Sequence, residues 1–528
     1  MDGTYISADG GDAFYYRYPN NIFWDAFPYY AWSFQLGLND GNNYKYNLYR
    51  NGIIVASNIN EPNATTAFSN GLNQYQITAY ANDYESSFSN SIYVVANAAC
   101  TNELELREND YLYGLSGSSL TVSGTLANGN PDHLLLEDGA QLINNSPGVK
   151  ATVKKNIAAC TQDGGWNLIA SPLTENLTAS NVSGLLANNY DLYTFDQSEE
   201  LEWRNYEANP KPFSTIDNGT GYLYANSGNP ILSFAGTLAA SVEPTDLTYD
   251  DDTEFSGFNL IGNPYPCNAY VTGRSFYVLQ ETDNVSEFVV GSNPIPPCSA
   301  ILVQAQGTGE SVTFSKTTPS KNEANISITV SKADTRDRAV VDKAKVAFNP
   351  SHRLTKYNLK DNSSRLYIPQ NGQDLAVACA NGEDALPVNF KTTKDGTYTI
   401  NFETESLELD YLHLIDNLTG NDVDLLTTPN YTFEAKTTDY ASRFSILFAP
   451  ICEDADGDND VFAHVNNGEL VLLETCPGAS LQIVDMAGRV IVCRDGVHTV
   501  STKGMTQGVY VLRLITADGV KTQKIVIE

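Results

Sequence analysis

Long hydrophobic runs are missing from this chain. Across 528 residues no apolar stretch approaches the roughly 18 residues a helix needs to cross a bilayer, so a helical membrane span is excluded. Positive charge is scarce: 31 Lys and Arg stand against 63 Asp and Glu, for a net charge of −32. A polyanion such as nucleic acid would be repelled, and so would an anionic membrane surface. Cysteine (8), histidine (5) and methionine (3) are sparse as well. The cysteines form no C-x-x-C pair and no zinc spacing with histidine. The histidines (His133, His352, His413, His464, His498) fall in separate segments, with no G-x-S-x-G, H-E-x-x-H or cysteine-protease pattern beside them. Helix signatures are lacking, and so is any phosphate-binding glycine loop leading into a helix.

What is abundant is tyrosine, 31 residues of it, with Asn, Thr, Ser and Gly between short alternating apolar runs. This is the composition of an all-β protein built on hairpins, and the length predicts several such domains in tandem. Residues 1–40 crowd aromatic rings and read as the remnant of an upstream domain; Trp24 and Trp32 are candidates there for stacking on a glycan. Tyr44–Val95 alternates ring and polar residues through a turn at Asn51-Gly52. Residues 101–158 are short strands with glycines at intervals that suggest solenoid rungs. Residues 160–318 contain a repeat. Gly165-Trp-Asn-Leu-Ile-Ala-Ser-Pro172 recurs as Gly257-Phe-Asn-Leu-Ile-Gly-Asn-Pro264, Tyr190–Phe195 is matched to Ser275–Gln280, and Gly221–Gly228 to Ala300–Gly307. The repeat predicts two copies of one β-unit, with Trp166 and Phe258 as equivalent buried anchors. A further sandwich pattern covers 326–450, an acidic linker 451–467, and a β-meander 468–528.

In the linker, Asp454, Asp456 and Asp458 alternate as in calcium loops. The glycine falls at the fourth position and no glutamate closes the loop, so the segment reads first as a solvated linker, with calcium its one candidate cofactor. If the protein is exported, eight cysteines predict disulfides; Cys100–Cys160 is the first candidate pair and Cys267–Cys298 the second, with the connectivity left open by the sequence. In the meander, Leu481, Ile483, Val490 and Val492, then Val509, Val511 and Leu512, are expected to face inward.

Several of these motifs carry a resemblance. The order Tyr44-Lys-Tyr-Asn-Leu-Tyr-Arg-Asn-Gly52, Tyr75-Gln-Ile-Thr-Ala-Tyr80, Ser89-Asn-Ser91 resembles a fibronectin type III domain, here over 41–97. Leu414-Ile-Asp-Asn-Leu-Thr-Gly420 resembles a domain that precedes secretion tails. The ending, with Asp485-Met-Ala-Gly488-Arg489, Gly508-Val-Tyr510 and Lys524-Ile-Val-Ile527, closely resembles the C-terminal sorting domain of the Bacteroidetes type IX secretion system; it departs from it in finishing on Glu528. The resemblance implies Gly488, Arg489, Gly508, Tyr510 and Lys524 as the sorting signal and the outer-membrane secretion machinery as a partner. It also implies a secreted or surface-anchored protein that meets surface polysaccharide or host protein. Met1-Asp-Gly-Thr-Tyr-Ile-Ser has neither the basic start nor the apolar run of a leader, so the chain is expected to be a piece of a longer protein. The function expected is therefore non-catalytic: adhesion or accessory modules exported by the type IX system. The alternatives are the accessory end of a surface hydrolase, foremost a peptidase, with its catalytic domain upstream, and a carbohydrate-binding protein.

Overall fold

A computed structural model describes residues 4–8, 12–16, 34–36, 45–60, 66, 68–81, 84–161, 163–282, 284–320, 323–333, 339–359, 363–380, 385–450, 462–466, 468–472, 480–485, 489–495, 499–516 and 519–527. The protein is all-β. It forms two compact units, Met1–Ser320 with Tyr357–Lys360, and Lys321–Lys356 with Asp361–Glu528.

In the first unit, Thr4–Ala8, Asp12–Tyr16 and Phe34–Leu36 make a small antiparallel sheet. A nine-stranded sheet follows. One end is the antiparallel set Lys45–Arg50, Ile53–Ile59, Gly71–Ala81 and Ile92–Ala96. The Asn51-Gly52 turn takes positive φ at both residues (51° and 76°), as a type I′ hairpin requires. The sheet then continues in parallel through Tyr111–Gly114, Leu134–Leu136 and Lys150–Asn156. A second parallel stack, Ala98–Thr101, Ser119–Val122 and Gln141–Ile143, runs beside it. Leu112 pairs with Leu134 and Leu120 with Leu142, a rung length of 22 residues. Leu112, Leu120, Leu134, Leu136 and Leu142 stack in one core between the two faces. The strands of 45–96 thus extend the rung sheet as one continuous surface. Lys150–Asn156 then pairs antiparallel with Ile231–Thr237, which ties the rungs to the repeat.

The repeat folds into two four-stranded sheets of one strand order. In the first copy, Asn167–Ala170 pairs with Gly221–Asn226, then Tyr190–Phe195, then Trp203–Asn205; in the second, Phe258–Gly262 pairs with Ala300–Gln304, then Phe276–Thr282, then Val285–Val290. The ladders correct one match. Leu192 lies opposite Tyr224 and Phe276 opposite Val303, so Tyr190 corresponds to Arg274 and not to Ser275. A slip of one residue would turn every side chain to the other face, and both Leu192 (1% exposed) and Phe276 (3%) point inward.

The copies meet across a pseudo-twofold seam. Ile169 bridges Ser299, and the equivalent Ile261 bridges Thr220. Ala170 N donates to Cys298 O at 3.3 Å, and its counterpart Gly262 N donates to Gly219 O at 2.9 Å. The two acceptors share a left-handed backbone, φ +75° at Gly219 and +54° at Cys298. The expected disulfides are not formed: Cys100, Cys160, Cys267 and Cys298 are free thiols. Cys298 packs into the core shared by the rungs and the first copy, whereas Cys267 packs into the core of the second. Burial pushes each of these two thiols up to about 12.

In the second unit, strands from Asn325–Lys332 to Phe444–Pro450 form one winding sheet around a single core that includes Ile326, Val346, Ile368, Val388, Ile400 and Ile446. A smaller body closes the chain. The sheet Ala463–Asn466, Glu469–Leu472, Thr499–Ser501 faces the sheet Val490–Asp495, Ser480–Asp485, Gly508–Thr516, Gly519–Ile527 over its own core of Phe462, Leu470, Leu481, Ile483, Leu512 and Ile525. Two inward assignments change here. Tyr510, Leu512 and Leu514 are the buried set while Val509 and Val511 turn away, because neighbours on a strand cannot share a face. Val490 is 50% exposed, on an edge strand.

Candidate functional site

The His133 ring lies 4.6 Å from that of Tyr111, and His352 forms an ion pair with Glu323. His413 stacks on Tyr411 at 4.1 Å and shares a 2.6 Å hydrogen bond between Nδ1 and Asp422 Oδ1. Burial, then Asp422 and Asp424, push the Tyr411 hydroxyl up to about 12. His413 sits between the buried Leu412 and Leu414 with its ring on the opposite face, a cross-strand packing arrangement. His498 lies outside the described residues.

The buried charges of the second unit are structural. Arg443 Nε and Nη2 grip Asp416 at 3.0 and 2.8 Å, Nη1 donates to Glu434 O, and the guanidinium lies over Phe433 and Phe444 at 4.7 and 5.1 Å. Asp416 also accepts from Leu418 N and Tyr431 OH. Burial alone would raise this carboxyl, but the bonds from Arg443, Leu418, Thr419 and Tyr431 hold it below the usual range. The Leu414-Ile-Asp-Asn-Leu hairpin is therefore pinned through its aspartate. Lys356 and Asp342 form a second enclosed pair at 2.6 Å, completed by Leu366 N and Lys343 N.

The sorting-signal residues lie in the closing body. Arg489 holds Asp485 with its backbone N at 2.9 Å and its Nε at 2.7 Å, clamping the hairpin between Ser480–Asp485 and Val490–Asp495. Tyr510 is buried, and its hydroxyl donates to Thr506 O at 2.8 Å, fastening the turn that leads into the strand opened by Gly508. Lys524 stands exposed on the edge strand opposite Val511. Gly488, together with Asp454, Asp456, Asp458, Trp24 and Trp32, lies outside the described residues. A different acidic group does converge: carboxylate oxygens of Asp250, Asp251 and Asp252 lie within 4.8 Å of one another, two of the three residues being exposed. Its sequence signal is the triple aspartate itself.

The richest constellation in the first unit lies on the repeat. Each copy lends a hairpin side chain to the leading glycine of the other: Gly165 N donates to Glu281 Oε2 at 2.7 Å, and its counterpart Gly257 N to Gln197 Oε1 at 2.6 Å. Beside these contacts are equivalent ring pairs, Trp166 on Tyr193 at 6.0 Å and Phe258 on Tyr277 at 6.4 Å. Their burial differs. Phe258 is 3% exposed, whereas Trp166, expected to be buried too, is half-buried. The cause is Tyr357, whose ring packs 5.4 Å from both Phe258 and Phe288, 5.5 Å from Phe255 and 6.4 Å from Phe195. Tyr357 N donates to Tyr277 OH, Trp203 Nε1 donates to Tyr357 OH, and Leu359 N donates to Glu287 Oε1. Burial holds the Tyr357 hydroxyl far above its ordinary value. Trp203 stacks on Phe288, its own counterpart, at 6.2 Å and 12°.

An open cleft of about 430 Å³ also lies where the copies adjoin, lined by Thr174, Asn218, Thr220, Glu243, Thr245 and Pro264 among others. Asn218 Nδ2 donates to Ser171 O and Pro264 O at its floor. Its lining carries one ionisable group, Glu243, and no nucleophile–base pair. The arrangement can hold backbone and rings; it does not assemble a reaction centre. No family model matches the chain, and no curated protein matches it.

Proposed function

We propose that the chain is a non-catalytic, extracellular binding or adhesion protein of β-modules whose closing body serves as a type IX secretion address. The observation that carries this reading is the closing body itself. It has a core of its own, made by residues from Phe462 to Ile527, and its motif order resembles that of the sorting domain. A tail with a separate core can be presented to a receptor while its cargo stays folded. The composition supports an extracellular setting, with −32 net charge. The ion pairs and ring contacts described above have packing roles, which supports a binding role over a hydrolytic one.

The test is a fusion of residues 462–528, which keeps the whole core of the closing body, to a periplasmic reporter. In a type IX-competent host the reporter should reach the cell surface, and in a secretion mutant it should stay periplasmic. Equal display in both strains would end the reading. Replacing Tyr510 or Arg489 in the fusion should reduce display, because one anchors the turn before its strand and the other clamps the neighbouring hairpin.

A further inference from the structure

We infer that the first copy of the repeat, at Trp166 and Tyr193, is a docking face for an extended peptide that carries a tyrosine beside basic residues. The inference goes beyond the export reading and does not depend on it. It rests on the duplication. The second copy holds such a segment, Tyr357–Leu359, with three kinds of contact: rings on Phe258 and Phe288, an amide N–H on the hydroxyl of Tyr277, and an amide N–H on the carboxylate of Glu287. The strand ladders assign each a counterpart in the first copy. Trp166 stands for Phe258, Trp203 for Phe288, Tyr193 for Tyr277, and Glu202 for Glu287.

Two counterparts, Trp203 and Glu202, already meet the hydroxyl of Tyr357, and the open part of the first face is Trp166 with Tyr193. Trp166 and Tyr193 preserve the ring pair and are both half-exposed. The hydroxyl of Tyr193 has no hydrogen-bond partner among the described residues, whereas that of Tyr277 receives the guest's amide at 3.0 Å. Two differences set the guest's character. An aspartate, Asp163, stands where the second copy has Phe255, and Leu279 stands where the first hairpin has Phe195. The face is therefore less enclosed and more acidic. A tyrosine would lie on Trp166, its own amide would reach the Tyr193 hydroxyl, the amide two residues further on would reach Glu202, and a neighbouring Lys or Arg would meet Asp163. Glu202 already accepts from Tyr357 OH at 3.2 Å, so the guest's second amide shares that carboxylate.

The probe is a synthetic peptide of this chain's own sequence, Leu354-Thr-Lys-Tyr-Asn-Leu-Lys360, titrated into the intact chain at physiological ionic strength by calorimetry. Saturable one-to-one binding is expected, weakened about tenfold when the peptide's tyrosine is replaced by alanine. Tyr193→Phe, which keeps the ring and removes only the hydroxyl, should weaken it severalfold, and Trp166→Phe, which copies the second face, should retain it. No saturable binding would overturn the inference. So would binding indifferent to both Tyr193→Phe and Trp166→Ala, the result expected if the peptide merely displaced Tyr357 from the second copy. A response to cellohexaose in place of the peptide, lost in Trp166→Ala, would also overturn it in favour of a glycan face.

Discussion

The two copies of the repeat share strand order, seam and reciprocal hairpin contacts, yet they differ in what covers their rings. In the second copy, Phe258 is enclosed by Tyr357 and becomes core. In the first, Trp166 occupies the same ladder position and stays at the surface. Position in a fold therefore does not decide whether a ring is packing or display; what the rest of the chain lays over it does. An aromatic before Asn-Leu-Ile reads the same in both places, and the difference comes from Tyr357, about a hundred positions downstream of Phe258.

This contrast can be broken by measurement, and the largest effect should come from the rings. Phe258→Ala should cost on the order of 3–5 kcal/mol in denaturant unfolding of the first unit, while Trp166→Ala should cost about half as much or less. Equal losses would remove the distinction. The leading glycines come next and should behave alike. A Cβ on Gly257 would sit 2.2 Å from Ala305 O at φ +77°, and one on Gly165 would sit 2.4 Å from Cys160 Cα at φ +82°. Each Gly→Ala change should destabilise by about 2 kcal/mol or more. A harmless change at one and a severe one at the other would show that the seam is less symmetric than its bonds.

The reciprocal side chains should separate again. Gln197 is buried and joins Thr248, Asp250, Gly257 and Phe258, so Gln197→Ala should cost about 2 kcal/mol. Glu281 is exposed and its bond to Gly165 N is rim-like, so Glu281→Ala should fall within about 1 kcal/mol. The smallest effect is alkaline. Cys267 and Cys298, both in the second copy, are raised from 9.0 to about 12 in the folded state. The unfolded thiols ionise first, so the stability these groups confer is full below pH 9 and lost between about 9 and 12. The melting temperature should fall more gently over that range in the Cys267→Ala, Cys298→Ala double variant. In a thiol-reagent assay at neutral pH, Cys100 and Cys493 should react quickly and Cys267, Cys298 and Cys379 only on unfolding.

Much of the fold is written locally. Alternating tyrosines and Asn-Gly turns give strands and hairpins because side-chain period and turn geometry are properties of adjacent residues. The recurrence of Trp-Asn-Leu-Ile as Phe-Asn-Leu-Ile is likewise visible in the letters. The one-residue offset between Tyr190 and Arg274 is not, since hairpins of different length hide it until a ladder fixes the register. Nor is the fate of Trp166, which depends on Tyr357 covering one copy and not the other. The absence of the two expected disulfides has a related cause. Cys267 and Cys298 lie close in sequence within one repeat unit, but the strands between them deliver the two thiols into different cores. At the candidate site, Trp166 was legible as the equivalent of Phe258; its ring partner Tyr193 and the carboxylate of Glu202 became meaningful only through their counterparts.

The seam between the copies is thin. A Cβ on Gly221 would lie 2.7 Å from Ala300 and 2.8 Å from Leu260, and one on Gly262 would lie 2.6 Å from Thr220 O. Backbones approach there with little side chain between them, and outside that strip the copies are joined by the Trp203–Phe288 stack and by the Gln197 and Glu281 bonds. The chain makes the encounter intramolecular. A tether of a few tens of residues supplies an effective concentration in the millimolar range, so an association with a dissociation constant of tens of micromolar would remain closed nearly all the time. The duplicated unit is thus a dimer held together by its linker as much as by its interface. Cutting the joining segment at the exposed Asp251-Asp252, which leaves the pairing of Thr245–Asp246 with Ser311–Val312 in place, should make the stability of the duplicated unit fall on dilution.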